Sequence, residues 1–466
     1  MARICMLGLG YIGLPTASMF AVAGQTVIGV DPSPRVQAAL AAGRLPIEEP
    51  ELKTLVTAAL NAGNLHVQTR PALADAFIIA VPTPLDEATH RADLRYVEQA
   101  ARDIVPFLRP GNLVVLESTV PPGTTRDVLA PILAESGLAP GRDIHLAHCP
   151  ERVLPGRILF ELAENDRLAG GLTPACAERA AQLYATFVKG SIMRTDATTA
   201  EMAKVMENTF RDVNVALANE FALIAEGVGV DVWEAIRLAN HHPRVNVLRP
   251  GPGVGGHCIA IDPWFLVGAA PQQARLIRAA REVNDAMPAH VVARLAEVVA
   301  PPALIALLGL TYKANVDDIR ESPALRVAEL VVERGYRVRV CDPHLSSDTP
   351  GLPAPLLPIE QAVHDAEAIV LLVDHAAFAE LDLDLLAALV RTRHVLDTRG
   401  ALDRPAWEAR GFCVRVLGSA ERQRDVRTPE VPDQRARDAA NARVGGPQRA
   451  GPAADAAPPA RGTDPR

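Results

Sequence analysis

Short apolar runs bounded by turn residues mark the first 120 positions of the chain. The runs are RICML at 3–7, TVIGV at 26–30, FIIAV at 77–81 and LVVLE at 113–117. Runs that are apolar at almost every position are typical of parallel strands buried on both faces. Helical segments lie between them, so the pattern predicts a doubly wound α/β domain over residues 1–195.

Between residues 198 and 240 the periodicity becomes helical and glycine is scarce. The abundance of Ala, Glu, Met and Leu predicts a long helix, and a second helical stretch covers 272–299. We assign 196–300 to a central helical domain and expect its long helix to offer a dimerisation surface. Apolar residues lead us to expect that much of this helix is buried: Met202, Val205, Met206 and Phe210.

Residues 301–420 repeat the order of the first domain. The runs ALIALLG, YRVRVCD, AIVLLVD and HVLDT predict strands in the same sequence, so we expect a fold of two Rossmann-like doubly wound domains joined by a long central helical segment. The first turn of this domain keeps only Gly309 where the first domain has three glycines. We therefore expect it to bind something other than a dinucleotide pyrophosphate.

The segment from 421 to 466 is rich in Arg, Ala, Pro and Asp and has no aromatic residue. Such a composition buries too little apolar surface to offset the entropy of ordering, which predicts disorder.

Composition excludes several classes of protein. No run of 18 apolar residues is present, so we expect no membrane span, and the chain opens on an apolar strand without the features of a signal peptide. The six cysteines are scattered without a CxxC pair, which favours a reducing cytoplasm, and neither they nor the histidines, which lack HExxH spacing, predict a metal site. A net charge of −8 predicts no nucleic-acid surface.

A glycine-rich turn, GLGYIG at 8–13, follows the first strand and opens a helix. Gly8 permits the tight turn, Gly10 lets backbone approach a pyrophosphate, and Gly13 lets the helix pack on the strand. Asp31 ends the next strand, where a carboxylate binds both ribose hydroxyls and repels a 2′-phosphate. The pattern predicts NAD rather than NADP as the cofactor; an ordinary turn with a helix-capping aspartate is the alternative.

The segment GPGVGGHCIAID at 251–262 places Cys258 after a glycine-rich loop. Backbone amides of such a loop can crowd a ligand and stabilise a thiolate, although most buried cysteines are inert. Asp262 comes within reach of Cys258 if the segment turns helically. Lys204 and Asn208, at i and i+4, share a helix face and could hold a developing alkoxide.

Two further acidic segments end predicted strands. Glu117 and Thr119 in ESTVPPGTT follow the fourth strand, at the edge where an open α/β sheet binds ligands. Glu151 in HCPERVLPG lies in a loop. Each residue is equally consistent with an ordinary loop position.

Together these segments resemble the UDP-glucose/GDP-mannose dehydrogenase family over residues 1–415. The motifs are VPTP at 81–84, ESTVPPGTT at 117–125, CPERVLPG at 149–156, AKVMENTFRDVN at 203–214, the Cys258 loop and GLTYKANVDDIRESPA at 309–324. The resemblance implies an NAD-dependent UDP-sugar 6-dehydrogenase that performs two hydride transfers, and an oligomer, a homodimer or larger.

The resemblance also implies roles for individual residues. Cys258 would be the nucleophile, Lys204 and Asn208 would stabilise oxyanions, Glu151 would be the base for thioester hydrolysis, and Thr119 and Asp262 would position water. The implied cofactor-binding residues are Gly8, Gly10, Tyr11, Ile12, Gly13, Asp31, Pro82, Thr83, Glu117 and Ser118. The implied substrate-binding residues are Arg152, Arg244 from a partner subunit, Gly253, Gly255, Gly256, Lys313, Arg320 and Arg399.

The Cys258 loop departs from the UDP-glucose enzymes of the family. Those enzymes usually carry Lys just before the aspartate, where this chain has Ile261, and His257 precedes its cysteine. The resemblance therefore favours UDP-N-acetyl-D-mannosamine as substrate, with UDP-N-acetylglucosamine and other UDP-sugars as alternatives.

Two other interpretations use the same residues. A β-hydroxyacid dehydrogenase also combines GLGxxG with a helical Lys–Asn pair, but it lacks the cysteine loop and the second Rossmann-like domain. A protein that binds NAD and a nucleotide sugar without turnover would need neither Cys258 nor Lys204 to react.

Overall fold

A computed structural model describes residues 2–47, 49–86, 88–154 and 156–419. They form two compact units. The first holds the described residues up to His290 with Asp318–Pro323 and Gly418–Ser419, and the second holds Val291–Asp317 and Ala324–Leu417. The division into three domains at 195, 300 and 420 stays a prediction, and the segment 421–466, for which we predict disorder, lies outside the described residues.

The first unit is built on a wide, mostly parallel sheet. Its strands, with a small hairpin formed by β5 and β6, are β1 Arg3–Leu7, β2 Thr26–Val30, β3 Leu65–Gln68, β4 Ala76–Ile79, β5 Leu85–Asp86, β6 Arg91–Ala92, β7 Leu113–Leu116, β8 His145–His148, β9 Arg167–Gly171 and β10 Ile192–Asp196. The order across the sheet is β10-β9-β8-β7-β4-β1-β2-β3. All neighbours are parallel except β8 and β9.

Helices cover both faces of this sheet, because alternate strand residues enter different cores. Ile4 and Met6 of β1 join one apolar cluster, and Cys5 and Leu7 join the other. The helices are α1 Gly13–Val22, α2 Pro34–Ala41, α3 Leu52–Asn61, α4 Arg95–Ile104, α5 Ala130–Ala134, α6 Ile158–Glu164, α7 Pro174–Tyr184, α8 Ala197–Val228, α9 Val232–Ala239, α10 Asp262–Ala269 and α11 Arg275–Ala296.

The long helix predicted from 198 to 240 is two helices. Asp196 caps the start of α8 by accepting from the backbone N–H of Thr199 at 2.9 Å. Gly229, in the left-handed conformation at φ 81°, ends α8, and Asp231 caps α9. A helix commonly ends at such a glycine, because other residues adopt positive φ at a cost.

The expectation that Met202, Val205, Met206 and Phe210 are buried is wrong for three of them. Val205 is fully buried, but the exposed fractions are 38% for Met202, 53% for Met206 and 72% for Phe210. Apolar residues on α8 therefore serve two faces, one inside the unit and one on its surface.

The second unit contains a five-stranded parallel sheet. Its strands are β11 Leu304–Leu308, β12 Arg337–Cys341, β13 Ala368–Leu371, β14 His394–Asp397 and β15 Cys413–Val416, and its helices are α12 Pro323–Glu333, α13 Ile359–Val363, α14 Leu383–Leu389 and α15 Arg404–Glu408. The order β12-β11-β13-β14-β15 matches β2-β1-β4-β7-β8 of the first sheet. The predicted fold of two Rossmann-like units, with a long helical segment between them in the sequence, is confirmed.

In the part of the chain that the structure describes, no helix is long and apolar enough to cross a membrane.

Candidate active site

The glycine turn after β1 has the geometry that a dinucleotide requires. Gly8 has φ 94°, and a Cβ there would lie 2.3 Å from the carbonyl oxygen of Ala80. A Cβ at Gly13 would lie 1.9 Å from the carbonyl oxygen of Gly8, whereas a Cβ at Gly10 would meet nothing within 4 Å. Two glycines are thus required by packing, and the third keeps open space before the first turn of α1, where Tyr11 and Ile12 lie.

Asp31 lies at the end of β2 and faces this turn. Its Oδ2 accepts a hydrogen bond from the backbone N–H of Leu9 at 3.0 Å, and its Oδ1 accepts from the N–H of Ser33 at 2.9 Å. Each carboxylate oxygen accepts more than one bond, so both can still receive a ribose hydroxyl. The residues present therefore fit NAD.

The loops after β4 and β7 are tied to each other. Ser118 Oγ donates to the carbonyl oxygen of Val81 at 2.7 Å and accepts from its N–H at 2.9 Å, and Thr83 Oγ1 donates to the carbonyl oxygen of Thr119 at 2.7 Å. The predicted cofactor-binding residues Pro82, Thr83 and Ser118 thus share one edge of the sheet with the predicted catalytic Thr119.

Glu201 of α8 holds the loop that continues from Thr119. Its carboxylate is fully buried and accepts from the N–H of Gly123 at 2.5 Å and from the N–H and hydroxyl of Thr125 at 2.7 and 2.6 Å. The bonds fix the position of this loop relative to α8, on which Lys204 lies one turn later.

Glu117 does not face the open crevice that we expected from its place at the end of β7. Its side chain is 1% exposed and forms a close ion pair with Arg167, and Oε1 accepts from the Tyr184 hydroxyl at 3.2 Å. Burial raises the pKa of Glu117 to about 7, although Arg167 acts against the shift. The position of a residue in a sheet indicates an edge but not the direction of its side chain. Its cofactor-binding role stays a prediction.

Arg167 reaches this edge because β9 runs antiparallel to β8. The pair His148–Gly170 belongs to the register of the two strands, and its continuation sets Glu151 opposite Arg167. Arg167 Nη1 lies 3.6 Å from Oε2 of Glu151, so one guanidinium stands between two carboxylates. Its plane also covers the Tyr184 ring, 4.0 Å from the centroid.

Glu151 is buried, 6% exposed, and its Oε1 accepts from the N–H of Arg152 at 2.5 Å. Arg152 in turn pairs with Glu207 of α8 at 2.7 Å. The second oxygen of Glu151 has no hydrogen-bond partner among the described residues. A buried carboxylate oxygen of this kind is suited to accept a proton from water.

Asn208 and Asp262 form the closest contact between α8 and α10. Asn208 Nδ2 donates to Oδ2 of Asp262 at 2.6 Å, and the two side chains are 9% and 3% exposed. Burial raises the pKa of Asp262 to about 6, while the positive charge of Lys204 and the bond from Asn208 lower it. The predicted Lys204–Asn208 face therefore points to Asp262.

Cys258 lies one turn before Asp262, as the sequence predicts. The N–H of Asp262 donates to the carbonyl oxygen of Cys258 at 2.9 Å. The residue keeps solvent access. Protein atoms around the sulfur reduce its hydration, which raises the thiol pKa; Asp262 raises it further, whereas Lys204 and Arg320 lower it.

A buried polar network holds the glycine loop before Cys258. Asn219 Oδ1 of α8 accepts from the N–H of Gly251 at 2.8 Å, and its Nδ2 donates to Asn284 of α11 at 2.9 Å. Asn284 and Arg281 both donate to Asp212, at 2.8 and 2.6 Å. The loop is thus bonded to two helices.

Within the loop, Gly253 and Gly256 have φ 128° and 86°, which favours glycine at both positions. A Cβ at Gly253 would lie 2.9 Å from the carbonyl oxygen of Asn284. Gly255, between them, is buried.

Arg320 also belongs to the first unit and lies near the glycine turn. It pairs with Asp318, with Nη2 2.6 Å from Oδ2, and its guanidinium is 5.2 Å from the centroid of the Tyr11 ring. Its charge contributes to the pKa of Cys258. This predicted substrate-binding residue is thereby joined to the cofactor turn and the cysteine.

Three further predicted substrate-binding residues belong to other segments of the chain. Arg244 is exposed on the segment after α9, where a partner subunit rather than the same chain is predicted to use it. Lys313 and Arg399 belong to the second unit and follow β11 and β14, so both lie at the carboxyl edge of the second sheet.

Sequence reasoning missed the residues that support the site: Glu201, Arg167, Asp212, Asn219, Arg281 and Asn284. Part of a signal was present. Asp212 and Asn219 are seven residues apart on one face of a helix, and Arg281 and Asn284 are three apart on another. Such spacing places polar groups on one face, but the pairing of the two helices is a tertiary property.

No group of three or more His, Cys, Asp or Glu side chains in the described residues could hold a metal ion.

Comparison with known proteins identifies the family. Three domains of the UDP-glucose/GDP-mannose dehydrogenase family match in order: the NAD binding domain at residues 2–188, the central domain at 198–286 and the UDP binding domain at 306–404. The chain belongs to the UDP-glucose/GDP-mannose dehydrogenase family. NAD is its cofactor, and the two predicted Rossmann-like units carry the NAD binding and UDP binding domains.

Named relatives cover nearly the same length. The chain is 49% identical over 425 residues to UDP-N-acetyl-D-mannosamine dehydrogenase of Methanocaldococcus jannaschii, across 90% of this chain and 97% of the relative. It is 50% identical over 412 residues to NDP-N-acetyl-D-galactosaminuronic acid dehydrogenase of Ralstonia nicotianae, across 85% and 95%. The solved UDP-D-ManNAc dehydrogenase of Pyrococcus horikoshii is 44% identical with a TM-score of 0.83, across 89% of this chain and 99% of that one.

Proposed function

We propose that this protein oxidises the C6 alcohol of UDP-N-acetyl-D-mannosamine to the carboxylate in two NAD-dependent steps, through a thioester on Cys258. The observation that carries the proposal is the convergence of Cys258, Lys204, Asn208 and Asp262 where α8 meets α10. Oxidation of an alcohol to an aldehyde can use a cation and an amide such as Lys204 and Asn208, but it needs no nucleophile. The cysteine therefore indicates a second oxidation, of the aldehyde.

The cofactor is held by the glycine turn and Asp31. NAD held there would supply the hydride acceptor for each oxidation. The open space at Gly10 and the N–H groups at the start of α1 suit a pyrophosphate, and the carboxylate of Asp31 suits the ribose diol while repelling a 2′-phosphate.

In the first oxidation the C6 alcohol loses a proton to water and a hydride to the nicotinamide that NAD would supply, and it becomes an aldehyde. Lys204 and the second N–H of the Asn208 amide, whose first N–H donates to Asp262, lower the energy of the alkoxide that forms as the proton leaves. The bond to Asp262 fixes the Asn208 amide, so little reorganisation is required.

The second oxidation requires the cysteine, because an aldehyde carbon has no hydride that leaves readily. The Cys258 thiol loses its proton to solvent, which the exposed residue permits, and its sulfur attacks the aldehyde carbon to give a thiohemiacetal oxyanion. That oxygen re-forms the carbonyl as the hydride leaves, which yields a thioester. Lys204 stabilises this oxyanion as it stabilised the first.

Hydrolysis completes the reaction. Glu151 removes a proton from water through Oε2, which accepts no hydrogen bond from the described residues and lies 3.6 Å from Nη1 of Arg167; the hydroxide adds to the thioester carbonyl, and the Cys258 thiolate leaves. Thr119 and Asp262 position the water, and the loop containing Thr119 is held by Glu201 through Gly123 and Thr125.

A homodimer is part of this proposal, because Arg244 is expected to reach the site of a second subunit. Apolar side chains on the outer face of α8 form a stripe with helical spacing: Met206, Phe210, Leu217, Phe221, Ile224 and Val228. An exposed stripe of this extent is typical of a protein interface. Phe210→Glu should shift the sedimentation of the protein toward the monomer, whereas the exposed Leu276→Glu should leave it unchanged.

The test of the function is the number of NADH formed per sugar consumed. UDP-N-acetylmannosamine should give two, with lower kcat/KM for UDP-N-acetylglucosamine and UDP-glucose. UDP-N-acetylgalactosamine should be tested as well, because of the Ralstonia relative. A higher kcat/KM for this sugar would change the proposed substrate but not the proposed mechanism. One NADH per sugar would make Cys258 structural, and none with any sugar would leave a protein that binds NAD and nucleotide sugars without turnover.

A further inference from the structure

The two Rossmann-like units repeat one local geometry. Gly8 after β1 has φ 94° and Gly309 after β11 has φ 88°. Asp31 Oδ2 accepts from the N–H of Leu9 at 3.0 Å, and Asp342 Oδ2 accepts from the N–H of Leu310 at 2.7 Å. Asp342 thus occupies in the second unit the position that Asp31 occupies in the first.

In the second unit this carboxylate has an additional partner. Nε2 of His375 lies 3.1 Å from Oδ2 of Asp342, and both side chains are fully buried. Nδ1 of His375 accepts from the N–H of Asn315 at 3.0 Å, so Nε2 carries the hydrogen and donates it to Asp342. The Asp342 carboxylate, which corresponds to the carboxylate predicted to bind ribose in the first unit, is therefore hydrogen-bonded to the His375 imidazole.

His375 thereby holds the loop that carries Lys313. Thr311 Oγ1 lies 3.2 Å from Nε2 of His375 and donates to the carbonyl oxygen of Lys313 at 2.9 Å. On the other side of Lys313, Asn315 Oδ1 accepts from the N–H of Ala376 at 3.0 Å. The residues before and after Lys313 are thus hydrogen-bonded to the loop that follows β13.

Asp374, the residue before His375, pairs with Arg399, the other cation that is predicted to bind substrate. Oδ1 of Asp374 accepts from Nε of Arg399 at 3.1 Å. A guanidinium held at Nε still has two Nη groups for a phosphate. The strand β13 lies between β11 and β14 in the sheet. Asp374 and His375, in the loop that follows β13, therefore reach the loops after both neighbouring strands.

We propose that Asp374 and His375 are positioning residues for uridine diphosphate, which set Arg399 and the Lys313 loop at the separation that the ligand requires. The inference rests on the proposed function, because its substrate is a UDP-sugar and Lys313 and Arg399 are predicted to bind that substrate. Arg399 and the loop of Lys313 are held in place before the ligand binds, so less entropy is lost on binding a diphosphate. The expected result is a lower Kd for UDP.

Calorimetry of UDP and of NAD binding to the full chain tests this role. His375→Leu removes both ring contacts, and we expect the Kd for UDP to rise about tenfold with the Kd for NAD unchanged. His375→Asn keeps an acceptor near the position of Nδ1 and should recover part of the affinity. Asp374→Asn should weaken UDP binding by less, because its amide oxygen still accepts from Arg399.

Matched controls separate positioning from general damage. His364→Asn and Asp348→Asn, which alter other side chains of the same unit, should leave both Kd values unchanged. Unchanged UDP affinity in a folded His375→Asn and Asp374→Asn pair, or equal weakening of UDP and NAD, would overturn the inference. Absence of UDP binding by the unaltered protein, or unchanged UDP affinity in Lys313→Ala and Arg399→Ala, would instead contradict the proposed function.

Discussion

Asn208 donates from Nδ2 to Oδ2 of Asp262 across 2.6 Å, and this bond joins the middle of α8 to the first residue of α10. The backbone N–H of the same aspartate donates to the carbonyl oxygen of Cys258. A rotation of α10 relative to α8 would therefore move the nucleophile away from Lys204. The contact sets the geometry on which both oxidation steps of the proposed mechanism depend.

Asp262→Asn should increase stability and decrease activity. The folded pKa is about 6 against an ordinary 3.8, so the folded protein holds this proton more tightly and loses stability as pH rises from 3.8 to about 6. Asparagine removes that loss. The free energy of unfolding of the variant, relative to that of the parent, should rise through this interval and then level off at a gain of up to about 3 kcal/mol.

The control for this prediction is Asp103→Asn, on the exposed surface of α4. Its free energy of unfolding should follow that of the parent at every pH. A constant difference between Asp262→Asn and the parent from pH 4 to 8 would show that burial does not raise the pKa of Asp262.

Cys258→Ser should abolish the four-electron reaction, with kcat reduced about 10³-fold or more, because a hydroxyl is a far weaker nucleophile than a thiolate. Counting NADH per sugar in single-turnover experiments measures the effect, and the expected count is one or fewer. Cys413→Ser, a partly buried cysteine of the second unit, is the control and should turn over normally. Two NADH per sugar from Cys258→Ser would refute the thioester.

Asp31→Asn should weaken NAD and reduce discrimination against NADP. The amide oxygen can still accept from Leu9 or Ser33, so the turn should fold, but the charged acceptor for the ribose diol is lost. We expect the KM for NAD to rise about tenfold and the preference for NAD over NADP to fall by a similar factor. The Kd for UDP serves as the internal control, and unchanged cofactor preference would assign Asp31 to the turn alone.

Glu117→Gln tests whether this residue binds cofactor. Its carboxyl is buried against Arg167 and Tyr184, so we expect the KM for NAD to change less than twofold. Because the folded pKa is about 7 against 4.5, ionisation of Glu117 costs stability as pH rises through that interval, and the glutamine variant should gain stability above pH 7. A tenfold rise in the KM for NAD would instead show that Glu117 contributes to NAD binding.

Arg167→Met is the contrasting variant for the same cluster. It leaves Glu117 and Glu151 buried without their shared cation, and we expect a loss of about 3–5 kcal/mol. Thermal unfolding at pH 5 and pH 8 should show a larger loss at pH 8, because Glu117, with its pKa raised to about 7, is ionised there. Equal losses would mean that the guanidinium acts through packing on Tyr184 rather than through charge.

Local chemistry predicted much of the candidate site. The glycine spacing predicted the turn, because Gly8 needs a positive φ and Gly13 a close approach that any side chain would block. The four-residue spacing of Cys258 and Asp262 predicted the helical turn that joins them. Helix periodicity likewise placed Lys204 and Asn208 on one face.

The direction of other side chains depended on packing. The place of Glu117 after a strand indicated the binding edge, yet the antiparallel β9 brought Arg167 beside it and turned the carboxylate inward. In α8 the same apolar composition serves a buried face at Val205 and an exposed face at Phe210. Composition and periodicity cannot distinguish these faces until the neighbouring elements are in place.

The sequence by itself determined the two doubly wound units, the cofactor turn and the cysteine loop, because short-range steric constraints and strand periodicity depend only on residues that are close together in the chain. Only the tertiary structure decided which polar residues support them. Glu201, Asp212, Asn284 and His375 act across 33 to 78 residues of chain, from Asp342 to His375 and from Gly123 to Glu201. Such contacts exist only after helices and strands pack, since burial is what makes an unpaired polar group costly.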